Sequence, residues 1–158
     1  MKTNYLFPHR FRTVSGALFV LSLAALILFM SIGNTEDFTV PVFAIVGAED
    51  LMGPHKYFTV IENPVMDEII ILVLIASGIV FGFSKEKYED EMVASIRLNS
   101  LAWATIANYG ILFFCYLFVY GLPFFNILLH AMLSQLVIFV LLFRYKMYRF
   151  YNFGQDEE

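Results

Sequence analysis

The feature that most constrains this chain is the stretch from Val14 to Ile32, where no position carries a charged side chain. As a helix it would extend about 28 Å, close to the hydrocarbon thickness of a bilayer. Three further stretches share that character: Ile69 to Phe83, Leu101 to Tyr120 and Pro123 to Phe143. The chain is 59% hydrophobic and 15% charged, whereas soluble domains average about 45–50% apolar and about 25% charged. A water-soluble core built from 158 residues has no room for that much apolar surface. The expected fold is all-α and polytopic, a single membrane domain over residues 1–158. Its four transmembrane helices form two antiparallel hairpins, and the lipid bilayer is the first partner.

Helix one is expected over 14–33, behind Arg10 and Arg12. A cleaved signal peptide is the alternative, since Ser31-Ile32-Gly33 offers small residues. The apolar region exceeds the usual signal core of about 7–15 residues, which favours a retained helix. Helix two is expected over 64–83, with Asn63 as cap, Pro64 in the first position, and Asp67 and Glu68 near the positive end of the helix dipole. Helix three is expected over 88–121, since nothing between Tyr88 and Leu101 breaks a helix. After Gly121-Leu122-Pro123, helix four is expected over 123–149. It ends in Arg144, Tyr145, Lys146, Tyr148 and Arg149, a mixture suited to lipid headgroups.

Residues 34–63 read as a small extracytoplasmic hairpin or capping loop. Phe38 to Phe43 and Tyr57 to Ile61 are rich in aromatic and β-branched residues, and Gly47 to Pro54 supplies turn signals. Pro41 limits the first strand to an edge. One helix pair is joined by this long loop and the other by a three-residue turn, an asymmetry that argues against an inverted-repeat transporter.

Orientation follows the distribution of lysine and arginine. Lys2, Arg10 and Arg12 precede helix one. Lys85, Lys87 and Arg97 lie between helices two and three, and Arg144, Lys146 and Arg149 end helix four. The long loop holds only Lys56. Both termini are therefore expected in the cytoplasm.

Several function classes are disfavoured. The net charge of -4 provides no basic footprint for nucleic acid. Cys115 is the only cysteine, so no internal disulfide can form. No nucleophile elbow, zinc-protease motif or phosphate loop is present, so neither enzymatic activity nor a cofactor is expected. His9, His55 and His130 fall in separate places and cannot share a metal. Glu89-Asp90-Glu91 would point in different directions on a helix.

Two constellations remain. Asn126, His130 and Ser134 stand at i, i+4 and i+8 on one stripe of helix four, with Gln135 beside it. Folding back about Leu122 would bring Asn108 of helix three near Gln135. Such groups read as interhelical hydrogen-bonding glue, or as the polar path of a small transporter or channel subunit. The cytoplasmic segment 84–100 reads as a solvated helix start with Lys85–Glu89 and Lys87–Glu91 pairs. Its Glu86, Glu89, Asp90, Glu91 and Arg97 make a candidate docking face for a protein partner.

Lys85-Glu86-Lys87-Tyr88-Glu89-Asp90-Glu91, continuing through Ile96-Arg97-Leu98 to Ser100-Leu101 and Trp103, resembles an uncharacterised family of small four-helix bacterial inner-membrane proteins, familiar from Bacteroidota-type genomes. Val119-Tyr120-Gly121-Leu122-Pro123-Phe124-Phe125 is similar to the turn in that family. The resemblance covers residues 85–150 best. It implies an inner-membrane location, sometimes beside helix-turn-helix regulators, and brings no activity or site residues. The expected role is that of a non-enzymatic regulatory or accessory protein.

Overall fold

The computed structural model describes residues 6–32, 39–47, 56–87 and 89–153. These form four helices and one two-stranded sheet, in the order α1 (Arg10–Ile32), β1 (Thr39–Gly47), β2 (Lys56–Pro64), α2 (Met66–Gly82), α3 (Glu91–Phe118) and α4 (Leu122–Phe153). Among the described residues α1, α3 and α4 are long and apolar enough to cross a membrane. With 17 residues, α2 reaches only about 26 Å against a hydrocarbon layer of roughly 30 Å. The chain divides into two compact units, residues 1–19 with 75–158, and residues 20–74.

The first unit is organised by the α3–α4 hairpin. Asp90 caps α3, its Oδ1 accepting the Val93 N–H at 2.8 Å. At the other end the Val119 N–H donates to the Cys115 carbonyl. Gly121 then takes φ +78, a left-handed conformation that penalises any side chain, and α4 starts at once.

The core gathers away from that turn. Val93, Phe139, Val140, Phe143 and Met147 are all buried. The Phe139 ring lies 5.3 Å from Phe83 and stacks on Phe143 at 6.1 Å. Glycines let α2 approach its neighbours. A Cβ added at Gly82 would stand 2.6 Å from the Phe139 ring, one at Gly78 would stand 2.8 Å from Leu136, and one at Gly16 2.7 Å from Phe81. Close backbone approach through small residues is the packing mode of helices in lipid, where apolar side chains gain nothing by leaving the solvent. Toward the turn, by contrast, Tyr109, Phe113, Phe114, Tyr116, Phe118 and Phe125 are all exposed. That apolar surface suits hydrocarbon and would be costly in water.

The second unit contains the sheet. β1 and β2 pair antiparallel from Thr39 opposite Pro64 to Gly47 opposite Lys56, both longer than the aromatic runs that foretell them. With two strands each is an edge, so Pro41, opposite Glu62, leaves no third strand without a donor. Phe58 has φ +52, an uncommon conformation for an aromatic residue, and its ring lies 6.4 Å from Phe43. Of the expected Gly47–Pro54 turn, residues 48–54 lie outside the described residues.

Each helix boundary differs from its sequence expectation for a local reason. α1 starts at Arg10, because the Pro8 and His9 carbonyls already accept the N–H groups of Phe11 and Arg12. Pro64 closes β2 instead of opening α2, and the Asn63 side chain donates to Glu68 Oε1 at 2.6 Å instead of capping the first turn. The expected start of α3 at Tyr88 lies outside the described residues; α3 starts at Glu91, where Asp90 caps it and Glu89 is held by Arg97 and the Glu86 N–H. It ends at Phe118 rather than 121, and α4 begins at Leu122 and continues to Phe153.

Candidate functional site

Three arginines and two glutamates meet inside the first unit. Ser84 lies just beyond α2, where its Oγ donates to the Val80 carbonyl at 2.5 Å. There the chain leaves the helix and pairs with the N-terminal segment: the Phe7 N–H donates to the Phe83 carbonyl and the Lys85 N–H to the Phe7 carbonyl, each at 2.9 Å. This short ladder turns Glu86 inward. Its side chain has no exposed surface, and two helices supply its counterions. Arg144 of α4 donates from Nη1 to Oε1 at 2.6 Å, and Nη1 of Arg12 in α1 lies 2.5 Å from Oε2. Arg144 also donates to the Phe81 carbonyl at 2.6 Å, with its guanidinium 3.8 Å above the Phe81 ring.

Arg97, 3% exposed, completes the cluster from α3. It grips Glu89 with both terminal nitrogens, at 2.7 and 3.2 Å, and donates to the Ser84 carbonyl at 3.3 Å. Glu89 in turn accepts the Glu86 backbone N–H at 2.9 Å. A bidentate arginine–carboxylate pair is both stronger and more directional than a single contact. The guanidinium also lies 5.0 Å from the centre of the Phe143 ring.

The expected docking face is therefore corrected in part. Glu86 and Arg97 are buried and cannot meet a partner, and Glu89 pairs with Arg97 instead of Lys85. Residues 85–87, 89 and 90 are not helical, so the i,i+4 pairs have no helix to form on. Asp90 and Glu91 remain exposed, joined on the same stretch by Lys85, Met92 and Leu98. Arg12, Ser84 and Arg144 were not foreseen as site residues. The two arginines register in the sequence only as topology signals, and the Phe143-Arg144 neighbourhood is the one hint that a guanidinium stacks against aromatic rings.

The second constellation lies along the α3–α4 hairpin. Ser134 donates to Asn108 Oδ1 at 2.5 Å, Asn108 Nδ2 donates to the Ala131 carbonyl at 3.3 Å, and Gln135 Nε2 donates to Thr105 Oγ1 at 3.3 Å. Asn108 and Gln135 do cross the hairpin, but to different partners than expected. The turn centres nearer Tyr120 than Leu122, which shifts the register.

His130 and Asn126 stand apart from these pairs. His130 Nδ1 lies 2.6 Å from the Asn126 carbonyl, and a carbonyl can only accept, so Nδ1 carries a proton, and in the neutral imidazole Nε2 then keeps its lone pair. Both residues are exposed. Asn126, His130 and Ser134 border a groove of about 360 Å³ with Asn108, its walls completed by Ile111, Leu112, Ile127 and Ala131. Among the described residues no three His, Cys, Asp or Glu side chains gather to hold a metal. Comparison with protein-family models, with curated proteins and with solved structures returns no match.

Proposed function

We propose that this chain is a bacterial inner-membrane protein that crosses the bilayer four times, with both termini in the cytoplasm, and that acts as a regulatory or accessory protein through a protein partner and not as an enzyme. Support for the crossings comes from the three long apolar helices and the nine-to-one division of lysine and arginine. α2 makes the fourth crossing if its short apolar stretch is extended by the flanking residues or by local thinning of the bilayer. The resemblance at residues 85–103 and 119–125 supports the inner membrane.

One observation carries the partner reading. The charged segment between α2 and α3 divides into an inward set, Glu86, Glu89 and Arg97, and an outward set, Lys85, Asp90 and Glu91, beside exposed Met92 and Leu98. The inward set fixes the backbone, so the outward set is presented on a rigid base with an apolar spot among charges, the composition of an interface centre with a polar rim. A photoreactive residue at Leu98 is expected to give one discrete crosslinked product in intact cells. Glu91→Lys should abolish it, and Glu62→Lys on the sheet should leave it unchanged. Diffuse products, or indifference to Glu91→Lys, would remove the docking role.

A second reading, a small transporter or channel subunit, draws on the groove beside Asn126, His130 and Ser134. It requires solute flux through proteoliposomes that His130→Ala changes. Vesicles as tight as protein-free controls would count against it.

A further inference from the structure

In the α3–α4 groove, hydrogen-bonding capacity is graded along the helix. At its inner end Ser134 and Asn108 satisfy one another, and Asn108 also reaches the Ala131 carbonyl. The Asn126 side chain at its outer end, and His130 Nε2 midway along it, have no hydrogen-bond partner among the described residues. Counting from Leu122, these two residues lie about 6 and about 12 Å along α4. If the chain spans the membrane as proposed above, a premise the ligand reading shares, they sit at or within the outer leaflet's hydrocarbon. An unpaired polar group there costs several kcal/mol in principle, and an exposed acyl chain offers it nothing. The remaining walls, Ile111, Leu112, Ile127 and Ala131, are apolar.

We propose that this groove binds a membrane-dissolved amphiphile whose neutral head carries a hydroxyl group. With Nδ1 committed to a carbonyl, Nε2 of the neutral imidazole is an acceptor, and the ligand's head donates to it. The Asn126 amide both donates and accepts, and so holds the same hydroxyl oxygen or a neighbouring head oxygen. The methylenes next to the head lie against Ile111, Leu112 and Ile127, at the level of Asn126 and His130, and the satisfied Asn108–Ser134 pair ends the polar part of the groove. An anionic head has no cation here to receive it, and a head without a donor, an ester or an ether, leaves Nε2 unpaired. A small amphiphile fits better than a second helix, since the unsatisfied groups are just Asn126 and His130, about one turn apart on α4. Binding requires no passage across the membrane and is independent of the docking face.

The test uses the full chain in lipid nanodiscs with two photoreactive probes of equal chain length, a primary alcohol and its methyl ether, together with a headless alkyl diazirine. The headless probe should label exposed positions along α1, α3 and α4 alike, which reports membrane embedding by itself. The alcohol should concentrate on Ile111, Leu112 and Ile127 by about tenfold over the ether, the factor of roughly one net hydrogen bond. His130→Phe, at an exposed site where folding is not at stake, should erase that preference, and His130→Gln, which retains an acceptor, should restore part of it. Equal labelling by alcohol and ether, or a preference that survives His130→Phe, overturns the proposal while leaving the membrane reading intact. A crosslinked dimer through the groove also overturns it, in favour of a second copy. Failure of the headless probe to label the helices removes the membrane reading itself, and the proposal with it.

Discussion

A carboxylate with no exposed surface needs partners that offset the cost of taking it out of water. Glu86 holds Arg12 and Arg144 from two different helices, so its charge joins them for as long as it is present. Removing one member of a buried ion pair strands the other charge, at a cost of about 3–5 kcal/mol. Glu86→Gln is accordingly expected to lower unfolding stability by about that amount, read by denaturant titration in mild detergent. Glu86→Leu combined with Arg144→Met should recover most of the loss, because a well-packed apolar pair can equal a buried ionic one. A neutral response to Glu86→Gln would mean that the cluster is hydrated and loose. None of this inward chemistry is legible at residue scale in the sequence. Glu86 sits among Lys85, Lys87 and Glu89 in a run that looks uniformly solvated. Its orientation comes from the backbone pairing of Phe7 with residues 83–85, a long-range contact that local pattern does not encode.

Elements divide by whether their signal is local. The apolar stretches and the Gly121-Leu122-Pro123 turn are local, so all four helices could be placed, with edges displaced by a few residues, while the Asp90 cap of α3 was not foreseen. The polar pairing across the α3–α4 hairpin was foreseeable in kind, because Asn108, Ser134 and Gln135 lie at similar distances from the turn. Its register was not, since that depends on where Gly121 reverses the chain. The glycine contacts of α2 are the element-scale feature most open to test. Gly82→Ala would place a methyl group 2.6 Å from the ring of buried Phe139, which Phe83 and Phe143 keep from turning aside. The expected loss is about 1–3 kcal/mol. Gly110→Ala meets nothing within 4 Å and should be neutral, or stabilising by up to about 1 kcal/mol through helix propensity. Equal effects of the two substitutions, measured side by side by thermal unfolding in the same detergent, would show that close helix approach at Gly82 contributes nothing.

For the whole molecule the decisive quantity is which side of the bilayer each segment occupies. In a Cys115→Ser background, Val60→Cys should react with an impermeant maleimide added outside intact spheroplasts, and Leu98→Cys should react only after permeabilisation. Labelling of both from outside would mean that α2 does not cross. Hydropathy and charge bias are legible over the whole length, whereas the satisfied and unsatisfied ends of the groove emerge only once side chains are placed against each other.

The ion cluster also sets an order of events. Glu86 and Arg144 are 58 positions apart in the chain, so during synthesis the carboxylate has only Arg12 as a side-chain counterion until α4 has been made. A nascent or truncated product ending before α4 lacks both the Arg144 contact to Glu86 and the Phe139 and Phe143 rings of the core. The cluster is therefore complete only once α4 has joined α1 and the segment after α2.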